Sequence, residues 1–190
     1  MSDDEKAQLV LYLTQSREAL LWKLDGLDDY DVRRPLTPTG TNLLGLTKHV
    51  AACAAEYFGL VFDRPFPGEI PLSDDDPLLD LWCPADESRS DVLDLWHRAW
   101  EHADATIEAL PLDAAGHVPW WGRRGGVTLH RVLVHMNVEL ARHAGHADIL
   151  RETIDGFAGL RAGVDNMPDE VDWPEHVERV EQAARLSRST

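Results

Sequence analysis

Three histidines and a glutamate share one short segment of the chain. His135, Glu139, His143 and His146 stand four, four and three residues apart in VHMNVELARHAGHADILRE. An α-helix turns about 100° per residue, so side chains at these intervals lie along one side of a helix. Imidazole and carboxylate groups are common ligands of divalent transition metals. The spacing therefore predicts either a metal site or a solvated polar edge.

A histidine in a second helical segment offers a further ligand. His49 interrupts LLGLTKHVAACAAEYF, whose other residues are mostly small and apolar. Taken alone, the position of His49 fits a metal ligand and a histidine at the edge of the core, donating to a backbone carbonyl, equally well. Burying imidazoles and a carboxylate without partners costs several kcal/mol, roughly, and a shared cation would remove that cost. Three protein ligands and an open position are typical of a catalytic zinc site.

Two small residues lie near these candidates. Gly145 stands between His143 and His146, where glycine costs a helix about 1 kcal/mol relative to alanine. Either the missing side chain lets another helix or a ligand approach, or the glycine is simply tolerated. Cys53 follows an apolar helical pattern and is interpreted as a small core residue. With Cys83 it makes two cysteines, too few for a disulfide framework and suited to a reducing compartment.

The elements that must position these residues are predicted to be helices. Apolar residues recur at steps of three and four in four long segments, 4–24, 43–58, 90–110 and 128–154, and a short charged helix follows at 175–186. On the first segment the predicted stripe is Leu9, Tyr12, Leu13, Ser16, Leu20 and Lys23. Thr41 or Asn42, Ser88 and Thr128 are the expected N-terminal caps, and Gly26, Gly59 and Gly156 the expected stops.

Long irregular links separate the predicted helices, and 62–87 has the length of a functional segment or lid. No alternating strand pattern exceeds three or four residues. We therefore predict an all-α fold, a four-helix bundle with long connections and a C-terminal tail. The bundle is assigned to residues 1–156 and a C-terminal extension to residues 157–190.

Composition narrows the classes of partner. The net charge is −16, from 34 acidic and 18 basic residues, which argues against binding to nucleic acids or anionic membranes. No apolar run approaches the roughly 20 residues of a membrane span. The N-terminus, MSDDEKAQLVLYL, is acidic where a signal peptide is basic, so a cytoplasmic location is expected.

Two stretches carry a resemblance to a known family. TNLLGLTKHVAACAAEYFG (41–59) and VTLHRVLVHMNVELARHAGHADILRETIDG (127–156) resemble the DinB/YfiT-like superfamily, and more closely its actinobacterial, mycothiol S-transferase-like branch. The resemblance covers most of residues 5–156 and does not extend to the tail. It implies a DinB-like four-helix bundle with a metal near one end, held by His49, Glu139 and His143. Many members have histidine at the position of Glu139, whereas the mycothiol-dependent maleylpyruvate isomerases have glutamate.

The resemblance also implies an activity. The chain resembles divalent-metal-dependent transferases. These enzymes activate a low-molecular-weight thiol, such as mycothiol, for conjugation to or isomerisation of an electrophilic small molecule. Zinc is the expected metal, with nickel or iron as alternatives. His146 replaces the glutamine of the commoner pattern and is the candidate for proton transfer, hence the expected catalytic residue. His135 is interpreted as a partly exposed helix histidine, although it also has the register to face the cavity.

Cofactor-binding residues are expected just before the fourth helix. In PWWGRRGG, Trp120 and Trp121 are expected to line the open end of the bundle. Arg123 and Arg124 are expected either to bind an anionic group or to neutralise nearby acidic residues. Arg142 and Asp148 either orient ligands or are ordinary surface charges, the second being the favoured interpretation.

Two other functions fit the same sequence. One is a metal-dependent hydrolase of the same fold that uses metal-bound water, and the other is a non-enzymatic stress or scaffold bundle. The expected partners are a thiol and a small electrophile, with no nucleic acid and no membrane, and a homodimer is compatible with the pattern. The sequence does not name the electrophile, because substrate choice lies in the links and tail.

Overall fold

The computed structural model describes residues 2–189, apart from the side chains of residues 2, 3 and 189. The all-α prediction is confirmed, and the bundle is of the DinB-like kind. The α-helices of the described chain are α1 (Ser2–Trp22), α2 (Asp29–Arg33), α3 (Leu43–Tyr57), α4 (Arg89–Ala109), α5 (Leu129–Asp155) and α6 (Trp173–Leu186). The predicted long helices begin and end within two residues of α1, α3, α4 and α5.

The predicted caps explain why these helices begin and end where they do. The side chains of Asn42 and Thr128 accept hydrogen bonds from backbone amides three residues on, at the N-termini of α3 and α5. Ser88 and Asp91 form a reciprocal capping box at α4. Gly156 ends α5 with φ 75°, a left-handed conformation that glycine adopts without steric penalty.

Helix α3 packs against two of the other three long helices. It lies against α4 and α5, and α1 packs on α5. Alanines make up much of α3, which lets its neighbours approach closely on several sides. The predicted apolar face of α4 is buried, comprising Val92, Leu95, Trp96, Ala99, Ala103 and Ile107. On α1, however, the predicted stripe is wrong at Tyr12, which is 62% exposed because it points about 100° away from buried Leu13 around the helix.

The links contain short elements that the sequence pattern did not predict. Two short strands, β1 (Ala115–His117) and β2 (Gly126–Thr128), pair as an antiparallel hairpin. Three-residue strands are too short to show alternation, which explains why they were missed. The described links also hold 3₁₀ turns at Leu60–Phe62, Leu79–Leu81 and Pro119–Arg124, with a further turn at Ser187–Ser189 after α6.

The start of the C-terminal extension folds back on the bundle. The ring of Phe157 packs edge-on against Trp22, and the buried Lys23 ammonium donates to the carbonyl of Gly159. Farther along, α6 has no buried residue. The assignment of 157–190 as a separate extension stays a prediction. None of the helices in the described range is long and apolar enough to span a bilayer.

Candidate metal site

His49 lies in the first half of α3 and is oriented by an acid from the long link. Its Nδ1 is 2.6 Å from Oδ2 of Asp80, a buried residue in the Leu79–Leu81 turn. This hydrogen bond turns the other ring nitrogen, Nε2, towards α5. Asp80 was not among the residues singled out by sequence, because a proline-rich link has no periodicity that would place it.

The link reaches His49 because α3 has a glycine at the point of contact. A Cβ at Gly45 would collide with the backbone carbonyl of Leu81, so only glycine lets the turn lie directly on the helix. The Asn42 side chain also donates to that carbonyl, at 3.3 Å. Segment 62–87 thus contributes the Asp80 side chain to the cluster, and its role as a functional link or lid stays a prediction.

Two residues of α5 complete the cluster. Oε1 of Glu139 is 3.4 Å from Nε2 of His49 and 3.1 Å from Nε2 of His143. The rings of His49 and His143 pack edge to face with centroids 4.9 Å apart. Helices α3 and α5 are antiparallel here, since His49 lies beside Glu139 and Tyr57 beside His135. The four-residue step from Glu139 to His143 is about one helical turn, so both side chains lie on the side of α5 that faces His49. The structure therefore brings together the three residues expected to bind a metal, and their role as ligands stays a prediction.

The charges in the cluster are strongly coupled. Burial by itself lowers the pKa of His49, but hydrogen bonds with Asp80 and Cys53, and the charges of both, raise the pKa to about 11. Burial raises the pKa of Glu139, yet hydrogen bonds and charge from His143 and His49 leave that pKa below its ordinary value. Burial, together with the positive charge of His49, lowers the pKa of His143. Glu139 is thus a carboxylate at neutral pH and His143 keeps a free lone pair.

Cys53 is a member of the cluster that the sequence interpretation missed. It packs against the core as expected, but its Sγ lies 3.6 Å from Nε2 of His49. Among the described residues, the ligand atoms of His49, Cys53 and Glu139 all lie within 4.8 Å of one another. Burial raises the pKa of the Cys53 thiol, although the His49 interaction opposes this shift. The signal that was available is its spacing of four from His49, one helical turn.

His146 lies at the outer edge of the cluster. Its ring centroid is 5.4 Å from that of His143, and its side chain is exposed. A Cβ at the neighbouring Gly145 would meet no atom of the described residues within 4 Å, so no close contact there requires glycine. Asp148 forms an ion pair with Lys23 at 2.8 Å, and Arg142 is exposed. Asp148 thus pairs with a buried cation instead of being an ordinary surface charge, and the interpretation of Arg142 as a surface charge stays a prediction.

A group of aromatic residues lies one helical turn from the cluster, around Tyr57 of α3. Tyr57 on α3 packs against Trp120, Trp121 and His135, with ring centroids 5.2, 5.9 and 4.7 Å away. The indole nitrogen of Trp120 donates to the Tyr57 hydroxyl at 3.1 Å. His135 is thus partly buried among aromatic rings, and burial lowers its pKa. Arg124 is exposed. The role of Trp121 and Arg124 in cofactor binding stays a prediction.

Comparison with known proteins identifies a family for most of the chain. The family model described as mycothiol-S-transferase matches residues 8–156, which include α3, α5 and every member of the cluster. No curated protein matches the chain. A family match over this length, together with a DinB-like bundle, confirms the resemblance drawn from residues 41–59 and 127–156. The chain belongs to the mycothiol S-transferase family.

Proposed function

We propose that this protein is a divalent-metal-dependent transferase that uses a low-molecular-weight thiol, of the mycothiol kind, to attack an electrophilic small molecule. The observation that carries the proposal is the convergence of His49, Glu139 and His143 from two antiparallel helices. The family supports thiol transfer, and the donor set supports a metal.

The two distances from the Glu139 carboxylate match neighbouring positions of a tetrahedral cation site. With bond lengths of about 2.0–2.2 Å to nitrogen and oxygen, neighbouring ligand atoms of zinc lie about 3.4 Å apart. The observed separations from Glu139 Oε1 are 3.4 Å to His49 and 3.1 Å to His143. His143 lies outside the group of donor atoms that are within 4.8 Å of one another, so its ring would move towards His49 when the three side chains share a cation.

Asp80 prepares His49 for this role. A metal-binding imidazole commonly donates its other N–H to a carboxylate, which fixes the tautomer and raises the basicity of the ligating nitrogen. Asp80 accepts from Nδ1, which leaves Nε2 of His49, the nitrogen that faces Glu139, as the atom that a cation would bind after that nitrogen releases its proton. The buried position of Asp80 excludes water from competing for that hydrogen bond.

The chemistry that a bound divalent cation supplies is a lower pKa for the co-substrate thiol, so that its nucleophilic thiolate form is present at neutral pH. His146, at the exposed edge beside His143, is proposed to accept the thiol proton and pass it to solvent. Trp121 packs against His135, one turn before Glu139 on α5, and offers a flat apolar surface there. The exposed Arg124 offers a cation for a carboxylate of the co-substrate or substrate.

Metal content and thiol dependence test the proposal together. Elemental analysis of untagged protein is expected to show a stoichiometric divalent metal, zinc first, with nickel and iron as alternatives. His143→Ala is expected to lose metal and thiol conjugation together. His97→Ala, at an exposed position on α4, is the matched control and is expected to keep both. Well-folded protein without metal contradicts the proposal, and ester or amide turnover without thiol favours hydrolysis by metal-bound water instead.

A further inference from the structure

Cys53 occupies the position of a further ligand. It stands one turn after His49 on α3, and both side chains point into the gap between α3 and α5. Its sulfur contacts Nε2 of His49 and not Nδ1, which Asp80 already engages. The thiol thus faces the same point in space as the ring nitrogen proposed to bind the cation.

The separations agree with coordination. A thiolate sulfur about 2.3 Å from zinc lies about 3.5 Å from a neighbouring nitrogen ligand in a tetrahedral site. The observed distance from Sγ to His49 Nε2 is 3.6 Å, and the Glu139 carboxylate lies within 4.8 Å of both. Three donor atoms from two helices thus face one point, and His143 reaches this group through Glu139, 3.1 Å from its Nε2.

We propose that Cys53 is a fourth protein ligand, so that the centre at rest binds its cation through His49, Cys53, Glu139 and His143. The inference rests on the proposed function, because it needs a metal at this site. On coordination the Cys53 S–H bond is replaced by a sulfur–metal bond and the proton is released to solvent. The co-substrate thiol then competes with Cys53 for one position, and the soft thiolate favours zinc over harder cations.

Cobalt substitution of the full-length protein tests this directly. Thiolate bound to Co²⁺ gives an intense near-ultraviolet charge-transfer absorption that imidazole and carboxylate ligands do not give. Wild-type protein and Cys83→Ser, which removes the other cysteine, are expected to show this absorption at stoichiometric cobalt. Cys53→Ala and Cys53→Ser are expected to lose it and to bind cobalt at least about 10- to 100-fold more weakly, because removal of a group that only hydrogen-bonds to a ligand already has that effect.

The outcomes separate this inference from the proposed function. If Cys53→Ala binds stoichiometric cobalt with the wild-type spectrum, Cys53 is not a ligand, while metal-dependent transfer stands. If the wild-type protein binds no cobalt or zinc, both proposals are overturned.

A second measurement needs no variant. Wild-type protein is treated with iodoacetamide with and without zinc, and alkylation of each cysteine is followed by mass spectrometry. Zinc is expected to slow alkylation of Cys53 at least tenfold, roughly the population shift of a 1.4 kcal/mol stabilisation. Cys83 is the internal reference and is expected to react at an unchanged rate. Equal rates at Cys53 with and without zinc overturn the inference.

Discussion

Asp80 and His49 are 31 residues apart in the chain and are joined by a hydrogen bond of 2.6 Å between a carboxylate oxygen and Nδ1. The bond links the long connection before α4 to the candidate metal site on α3. It makes that connection part of the site, because the orientation of the His49 ring depends on it.

Asp80→Asn is expected to weaken metal binding without unfolding the protein. Asparagine keeps the size of the side chain but removes the negative charge that raises the basicity of His49. Loss of such a partner weakens metal affinity about 10- to 100-fold. Chelator competition measures the change. Asp76→Asn, in the same link and hydrogen-bonded to Trp82, is the control and should leave the affinity unchanged. Equal affinities for the two variants contradict the role given to Asp80.

Metal-free protein is expected to lose stability as the pH rises above neutral. The pKa of His49 is about 11 in the folded protein and about 6.5 in an unfolded chain. Because the folded state holds the proton more tightly, this stabilisation is complete below about pH 6.5 and is lost as the pH rises towards 11. Urea unfolding in chelator at about pH 6, 8 and 10 measures it. His49→Gln should show a shallower decline, and an identical pH profile would contradict the coupling.

Gly45→Ala and Gly145→Ala are expected to have opposite effects. An added Cβ at Gly45 meets the backbone carbonyl of Leu81, so the link must shift and Asp80 moves from His49. Overpacking of this kind destabilises by about 1–3 kcal/mol, and metal affinity should fall as well. Gly145 has open space around it, so alanine should stabilise α5 by about 0.5–1 kcal/mol. Denaturant unfolding with metal titration checks both, and destabilisation by alanine at 145 would contradict this account.

His146→Ala is expected to lower kcat while the metal content stays at the wild-type level. The side chain is exposed and lies beside His143 rather than against Glu139, so it is available for proton transfer but not for coordination. Loss of general-base assistance typically lowers a rate about 10²- to 10⁴-fold. Steady-state kinetics over pH, with elemental analysis of the same samples, checks this. A loss of metal in this variant would instead make His146 a ligand.

Arg151→Ala is expected to destabilise the whole fold. The buried guanidinium donates to the carbonyls of Lys23 and Asp25, at 3.0 and 2.7 Å, and pairs with Asp155 at 2.8 Å. Its removal leaves buried acceptors unpaired and costs about 2–3 kcal/mol. Arg185→Ala breaks an exposed pair on α6 and is expected to change stability by less than about 0.5 kcal/mol. Urea unfolding of both variants makes the comparison.

The sequence by itself determined the helices and where they end. Asn42, Ser88, Thr128 and Gly156 act on backbone groups within a few residues, so their effects can be read locally. The apolar repeats likewise fix which face of α4 is buried. The resemblance in two motifs was enough to name the family, and it placed His49, Glu139 and His143 in one expected site. The sequence pattern did not predict the short α2 and the hairpin, because elements of three to five residues are too short to show a periodic pattern.

Only the tertiary structure decided what surrounds that site. Asp80 reaches His49 because Gly45 allows a backbone carbonyl to lie on α3, a contact between segments more than 30 residues apart with no shared periodicity. Cys53 changes from a core residue to a neighbour of the cluster because the antiparallel packing of α3 on α5 sets Glu139 opposite it. Helical periodicity in the sequence predicts which side of a helix a residue occupies. Which segment packs against that side is decided by contacts between residues that are far apart in the chain.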